Sequence, residues 1–337
     1  MSISNKVFSG GKPSHGILVL FFYCSALIIS LLTFQVEEAE TITDSTQLRN
    51  LLPEAISLPS EYGQVIFRHD AGTGNHLYVI GISHRDTLTR AVGWKTTQVQ
   101  SEVYRIGEWL IENQGVDLLL PEGFFTNSEK SYGTRNRSSA GTEPRSVKTV
   151  FQDGEVLKEK LDSSIYLNAE RLLMQSHDVI AQQVEDDNLY KDVVNKIRLL
   201  EKNTNAFDYM YATRELDYLQ ERRTAAMLQK IPEVVETQIR DGSIARRNAI
   251  LTIGVSHLAQ IIDSMRQNKF IVRSPAFSPF NDYVSEVNLV TEGFSVTVIL
   301  PRTIAEDGDL LKLTKLMAET GRIPGAVAST NEFSADK

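Results

Sequence analysis

The chain has 337 residues, 42% of them hydrophobic and 23% charged, proportions of a folded globular protein rather than a disordered one. Its formal net charge of −8, with no block of Lys and Arg interleaved with aromatics, excludes a nucleic-acid binder, because phosphate contacts need a basic face. The single cysteine, Cys24, excludes an intrachain disulfide and a cysteine-based zinc site.

Residues 1–36 are predicted to be a membrane anchor or signal segment. Lys6 and Lys12 precede an apolar run over residues 16–34, "GILVLFFYCSALIISLLTF", which meets Glu37, Glu38 and Glu40. The run is about as long as a helix needs to be to cross a bilayer. Basic residues before it and acids after it place the start of the chain inside and the rest outside. No small-x-small cleavage site follows, which favours an uncleaved single-span anchor over a signal peptide; cleavage would make the protein secreted. Cys24 follows "LFFY", where a lipid-attachment signal would have small residues.

Residues 37–63 read as a linker holding one short helix, punctuated by Pro53 and Pro59. An α/β domain is expected over residues 64–325. It opens with strands at 64–69 and 76–81 and an amphipathic helix over 96–114. "VDLLLPEG" (116–123) follows, a continuous apolar run of the kind found in buried parallel strands. Residues 126–150 turn rich in Ser, Gly, Asn and charge and read as a flexible polar loop; Asn136-Arg137-Ser138 is a glycosylation triplet if the source is eukaryotic.

Residues 155–240 read as helical throughout, because apolar residues in 167–184 and 207–231 fall three and four apart. "AILTIGVSH" (249–257) returns to strand, 258–268 to helix and 269–274 to strand. A further strand over 294–300, a last helix over 309–319 and a disordered tail over 326–337 complete the chain. The fold class is therefore α/β, with a mixed or mostly parallel sheet built from two βαβ-type halves and a helical insertion between them.

Two of these strands end in the same phrase, Gly-x-Ser-His: Gly81 to His84 and Gly254 to His257. One copy reads well as a strand-to-helix turn with its serine as N-cap. Two copies in the same context, from a pool of six histidines, point to a shared site. In parallel sheets ligands bind beyond the carboxyl ends of strands, so neighbouring strands would bring His84 and His257 to one crevice. The glycines are expected to allow a tight or positive-φ turn.

Glu122 ends "LLLPE" at another strand terminus. Two imidazoles and a carboxylate are a ligand set for Mn²⁺, Co²⁺ or Zn²⁺, or without metal a general base with an orienting acid. On the helix that carries "QERRTAAML", Arg222 or Arg223 is a candidate to stabilise an oxyanion, and periodicity leaves the choice open.

The ordered set "IGISH", "LLLPEG", "ERRTAAM", "IGVSH" resembles the TraB/Tiki superfamily: the TraB, PrgY and GumN-like proteins, the Wnt-cleaving Tiki proteases and, more distantly, erythromycin esterases and ChaN-like proteins. The resemblance covers residues 64–270. It implies site residues His84, Glu122, Arg223 and His257, with Gly81 and Gly254 as structural turns. It also implies a hydrolase acting on a peptide or small-molecule ester, metal-dependent as in the Tiki branch. Thr224 stands where the family often has Asp or Asn, and the polar insertion after Glu122 has no family counterpart. Two further readings stand beside the first. One is a metal-independent, esterase-type hydrolase. The other is a non-catalytic protein that sequesters a peptide or haem-like ligand, as the pheromone-shutdown and ChaN-like relatives suggest.

Overall fold

In the computed structural model, which describes residues 56–83, 94–125, 153–164, 167–202, 206–276 and 278–320, most of the apolar runs become strands of one sheet. β1 (Gly63–His69) and β2 (Asn75–Ile82) are followed by helix α1 (Trp94–Gln114) and strand β3 (Leu118–Pro121). Helices α2 (Gly154–Asp162) and α3 (Ala169–Ser176) lead to the two-residue strand β4 (Ile180–Ala181). Helix α4 (Asp187–Lys202) and the 35-residue α5 (Ala206–Arg240) lead to β5 (Asn248–Gly254). A 3-10 turn (Val255–His257) runs into α6 (Leu258–Gln267), then β6 (Lys269–Val272), β7 (Tyr283–Glu286) and β8 (Phe294–Pro301). The chain divides into Met1–Ser57 and Leu58–Lys337, and all these elements belong to the second unit.

Six strands form a mostly parallel mixed sheet in the order β1-β8-β2-β5-β3-β4, with only β1 antiparallel to its neighbour. β6 and β7 pair antiparallel as a separate ribbon. β2, β5 and β8 are buried over most of their length because helices cover both faces. Side chains alternate across a strand, so Tyr78 and Gly81 face opposite sides. The Tyr78 hydroxyl donates to Gln114 Oε1 of α1 at 3.3 Å, whereas Gly81 lies under Leu258 of α6. Tyr104, Ile106 and Leu110 of α1, and Leu258, Ile261 and Ile262 of α6, are buried against those faces.

The crossover through α1 takes the chain from β2 to β3 and leaves a gap that β5 later fills. From β5 the chain continues the other way, through α6 and the ribbon, to β8 on the far side of β2. The two connections pass each other on opposite faces of the sheet, through α1 and α6.

Two expected elements differ. The stretch read as helical over 155–240 is broken by β4, whose Ile180 and Ala181 pair with Leu118 and Leu119. Ile180 N–H donates to Asp117 O at 3.1 Å and Gln182 N–H to Leu119 O at 2.9 Å. Local spacing fits a helix here, but the open edge of β3 offers backbone partners that a helix would leave unpaired. The last helix splits into Gly308–Leu313 and Met317–Thr320, with Lys315 at φ 61° between them. Leu316 N–H returns to Leu311 O and Lys315 N–H to Lys312 O, the paired bonds of a Schellman stop that drops Leu316 into the core.

The apolar run at 16–34, most of the linker, the loop at 126–150 and the tail at 326–337 lie outside the described residues. No helix among the described residues is long and apolar enough to cross a membrane.

Candidate active site

Glu122 directly follows Pro121, the last residue of β3. Its N–H donates to Thr252 O of β5 at 2.9 Å, so the backbone ladder continues one step past the strand and aims the side chain over the sheet edge. Oε2 accepts the Gly254 N–H at 2.6 Å, and Oε1 lies 2.8 Å from Arg223 Nη1. This ties the end of β3 to the end of β5 across 132 positions of sequence.

His257 ends the 3-10 turn that leaves β5. Its Nε2 faces Glu122 Oε1 at 3.6 Å, and its Nδ1 stands 2.7 Å from Thr224 Oγ1. The side chains of Arg223, His257 and Glu122 are 7%, 7% and 6% exposed, and Thr224 is fully buried. Two consecutive residues of α5 therefore serve the site, one gripping the acid and the other the imidazole.

The helix register also separates the two arginines. Arg222 Cζ sits 3.6 Å from the centre of the Tyr283 ring on β7, so Arg223 is the one that meets Glu122. His84, two residues beyond the end of β2, lies outside the described residues. Its strand is the parallel neighbour of β5, with Ile82 opposite Gly254, so the strands that precede the two histidines end side by side.

Neither glycine needs the positive φ that the phrase suggested. Gly254 has φ −52° and ψ 135°, open to any residue, and it contributes its N–H to Glu122. Gly81 is absent from the positive-φ residues. A Cβ there would come within 2.5 Å of Leu258 Cδ1, so close packing is the reason for glycine.

Glu185 escapes the sequence reading. Its side chain is fully buried and bonded to Arg223 Nη2; Oε2 also accepts from Arg223 Nε at 3.0 Å, and Oε1 from the Gly123 N–H at 3.0 Å. It lies four residues past the end of β4, whereas Glu122 follows β3 directly. Reading 179–185 as strand-then-acid rather than helix would have found it. Tyr190 lies under the guanidinium, 5.4 Å from ring centre to Cζ, with Phe125 edge-on to it at 4.8 Å.

Burial works against the charge on Arg223, but the hydrogen bonds and charges of Glu185 and Glu122 outweigh it and raise the pKa above the ordinary arginine value. Two carboxylates against one guanidinium leave one negative charge in excess, which suits a cation. The 3.6 Å between Glu122 Oε1 and His257 Nε2 also suits two ligands of one tetrahedral ion, whose bonds are about 2.0–2.2 Å. Among the described residues no group of three His, Cys, Asp or Glu could hold a metal ion, so a third protein ligand would have to come from elsewhere, and His84 is the candidate. No family model, curated protein or solved structure matches the chain.

Proposed function

We propose that this chain is a membrane-anchored hydrolase of the TraB/Tiki type, with its α/β domain outside the cytoplasm and residues 16–34 as the anchor. Glu122, His257 and His84 would hold a divalent ion, Mn²⁺, Co²⁺ or Zn²⁺. When bound, such an ion supplies a water of lowered pKa as nucleophile toward a peptide or ester carbonyl. The protein's own part is to orient the imidazole through Thr224, to fix Glu122 through Arg223 and the Gly254 N–H, and to enclose the group in a buried crevice. The motif order and the charge pattern around 16–34 support the family and the anchor.

One observation carries the reading. Glu122 and His257 face each other across 3.6 Å beyond the carboxyl ends of β3 and β5, while Thr224 occupies the other ring nitrogen. In a metal-free dyad the acid would hold one nitrogen and leave the other to substrate. Here the nitrogen opposite Thr224 and the acid converge, as they would on a shared guest.

The test is hydrolysis of a peptide panel and of nitrophenyl esters by the full chain in detergent. Activity lost to EDTA, restored by Mn²⁺, Co²⁺ or Zn²⁺, and absent in His84→Ala, Glu122→Gln and His257→Ala is the expected result. Hydrolysis that ignores EDTA yet disappears in those variants assigns the metal-independent, esterase-type mechanism instead. Binding of a peptide or haem-like ligand without turnover, lost in His84→Ala, assigns a sequestering protein. Activity untouched by Glu122→Gln and His257→Ala removes the site altogether.

A further inference from the structure

Arg223 gives only a third of its nitrogens to Glu122. Nη1 meets Glu122 Oε1 at 2.8 Å, whereas Nε meets Glu185 Oε2 at 3.0 Å and Nη2 bonds Glu185 Oε1. Glu185 thus takes two nitrogens along one edge of the guanidinium, the bidentate arrangement in which an arginine pairs most strongly. Its side chain is fully buried, where charges act on one another with little screening.

Without Glu185, Arg223 and Glu122 would form a simple neutral pair, and the acid's charge would be consumed by its neighbour. With it, two carboxylates against one guanidinium leave the trio one negative charge beside His257. We propose that Glu185 is a positioning residue that sets the charge of the site: it absorbs the guanidinium charge so that Glu122 retains its own for a cation shared with His257. The inference rests on the divalent-ion reading given above.

The competing role is purely mechanical, since Glu185 also anchors the Gly123 N–H at 3.0 Å. Glu185→Gln separates the two roles, because an amide oxygen still accepts that bond while the charge is gone. The measurement is the Co²⁺ dissociation constant of the detergent-solubilised full chain, read from visible absorption, for wild type, Glu185→Gln and the double variant Glu185→Gln/Arg223→Met. Loss of an outer-shell partner typically weakens metal affinity about 10–100-fold, and that fall is expected for Glu185→Gln. Removing the arginine charge as well restores the trio's net charge, so the double variant should recover to within about ten-fold of wild type. A mechanical role predicts the opposite, a further loss. If Glu185→Gln fails to fold, the double variant is compared with wild type directly, and a folded double variant more than about 100-fold weaker overturns the proposal. Co²⁺ binding unchanged in Glu185→Gln, or a folded double variant weaker than the single one, overturns the proposal alone. A wild-type chain that takes up no Co²⁺ overturns the divalent-ion reading together with it.

Discussion

Nδ1 of His257 and Oγ1 of Thr224 lie 2.7 Å apart, and the Thr224 hydroxyl gives its single proton to Gln220 O at 2.9 Å. The hydroxyl is therefore the acceptor and Nδ1 carries the hydrogen. In the neutral ring, Nε2 is then the lone-pair nitrogen, and it is the one that faces Glu122. In the proposed divalent-ion site, the threonine would take the place that a carbonyl or carboxylate takes behind many metal-binding histidines.

Thr224→Val should expose that arrangement. The substitution keeps the shape and leaves the buried Nδ1–H without its acceptor, at a cost of about 1–3 kcal/mol in unfolding free energy. Co²⁺ affinity should fall about 10–100-fold, while Thr224→Ser should stay near wild type in both measurements. A valine variant with unchanged affinity would show that the ring is held by its packing alone.

The arginines should separate sharply. Arg223→Ala leaves Glu122 and Glu185 buried without their shared counter-charge, and breaking a buried pair in this way costs about 3–5 kcal/mol. Arg223→Lys should recover only part of this, because one ammonium cannot span both acids as the planar fork does. Arg222→Ala removes a stacking contact on Tyr283 worth about 0.5–1 kcal/mol, with hydrolysis unaffected. Denaturant midpoints and turnover of the three variants check the ranking.

Gly81→Ala places a methyl 2.5 Å from Leu258 Cδ1 and 3.1 Å from Leu300 Cδ2, both on fully buried side chains. Overpacking of this kind costs about 1–3 kcal/mol. Leu258→Ala in the same chain should return part of that loss, since it removes the atom in the way. Two losses that simply add would mean the strain lies elsewhere.

His76 gives a pH signature away from the site. Burial first, then the charge of Arg68, lowers its pKa from 6.5 to about 4, with Asp70 pulling the other way. Between those values the folded chain holds the ring neutral while the unfolded chain binds a proton, so the unfolded state gains as pH falls. This contribution to stability is whole above about pH 6.5, declines toward pH 4 and levels off below. Thermal unfolding of His76→Gln, which retains a polar group for Thr297 Oγ1, should show a flatter slope across that window than wild type.

Much of the sheet was legible because its chemistry is local. "LLLP", "AILTIG" and "FSVTVILP" are mostly apolar and buried at every position, as in a strand covered on both faces. The repeated Gly-x-Ser-His, scarce histidines and an acid at a strand exit drew attention to Glu122 and His257, which the fold brings within 3.6 Å of each other. β4 was illegible, since a two-residue strand has no periodicity of its own and exists only because β3 offers an edge. Glu185 was lost with it.

Residue types at strand exits were written in the chain, and so was the apolar segment at its start. Their meeting was not. Glu122 and Gly254 come together because β5, synthesised after the helical middle, slots between β2 and β3; strand order depends on which edges remain open when the crossovers have formed, and local spacing carries no record of it. The turn of α5 that sends Arg223 to the acids, Thr224 to His257 and Arg222 to Tyr283 follows from its docking against that completed edge. Helical periodicity placed all three on one surface helix, and only burial distinguished them, because an arginine enters a core where two carboxylates are waiting for its charge.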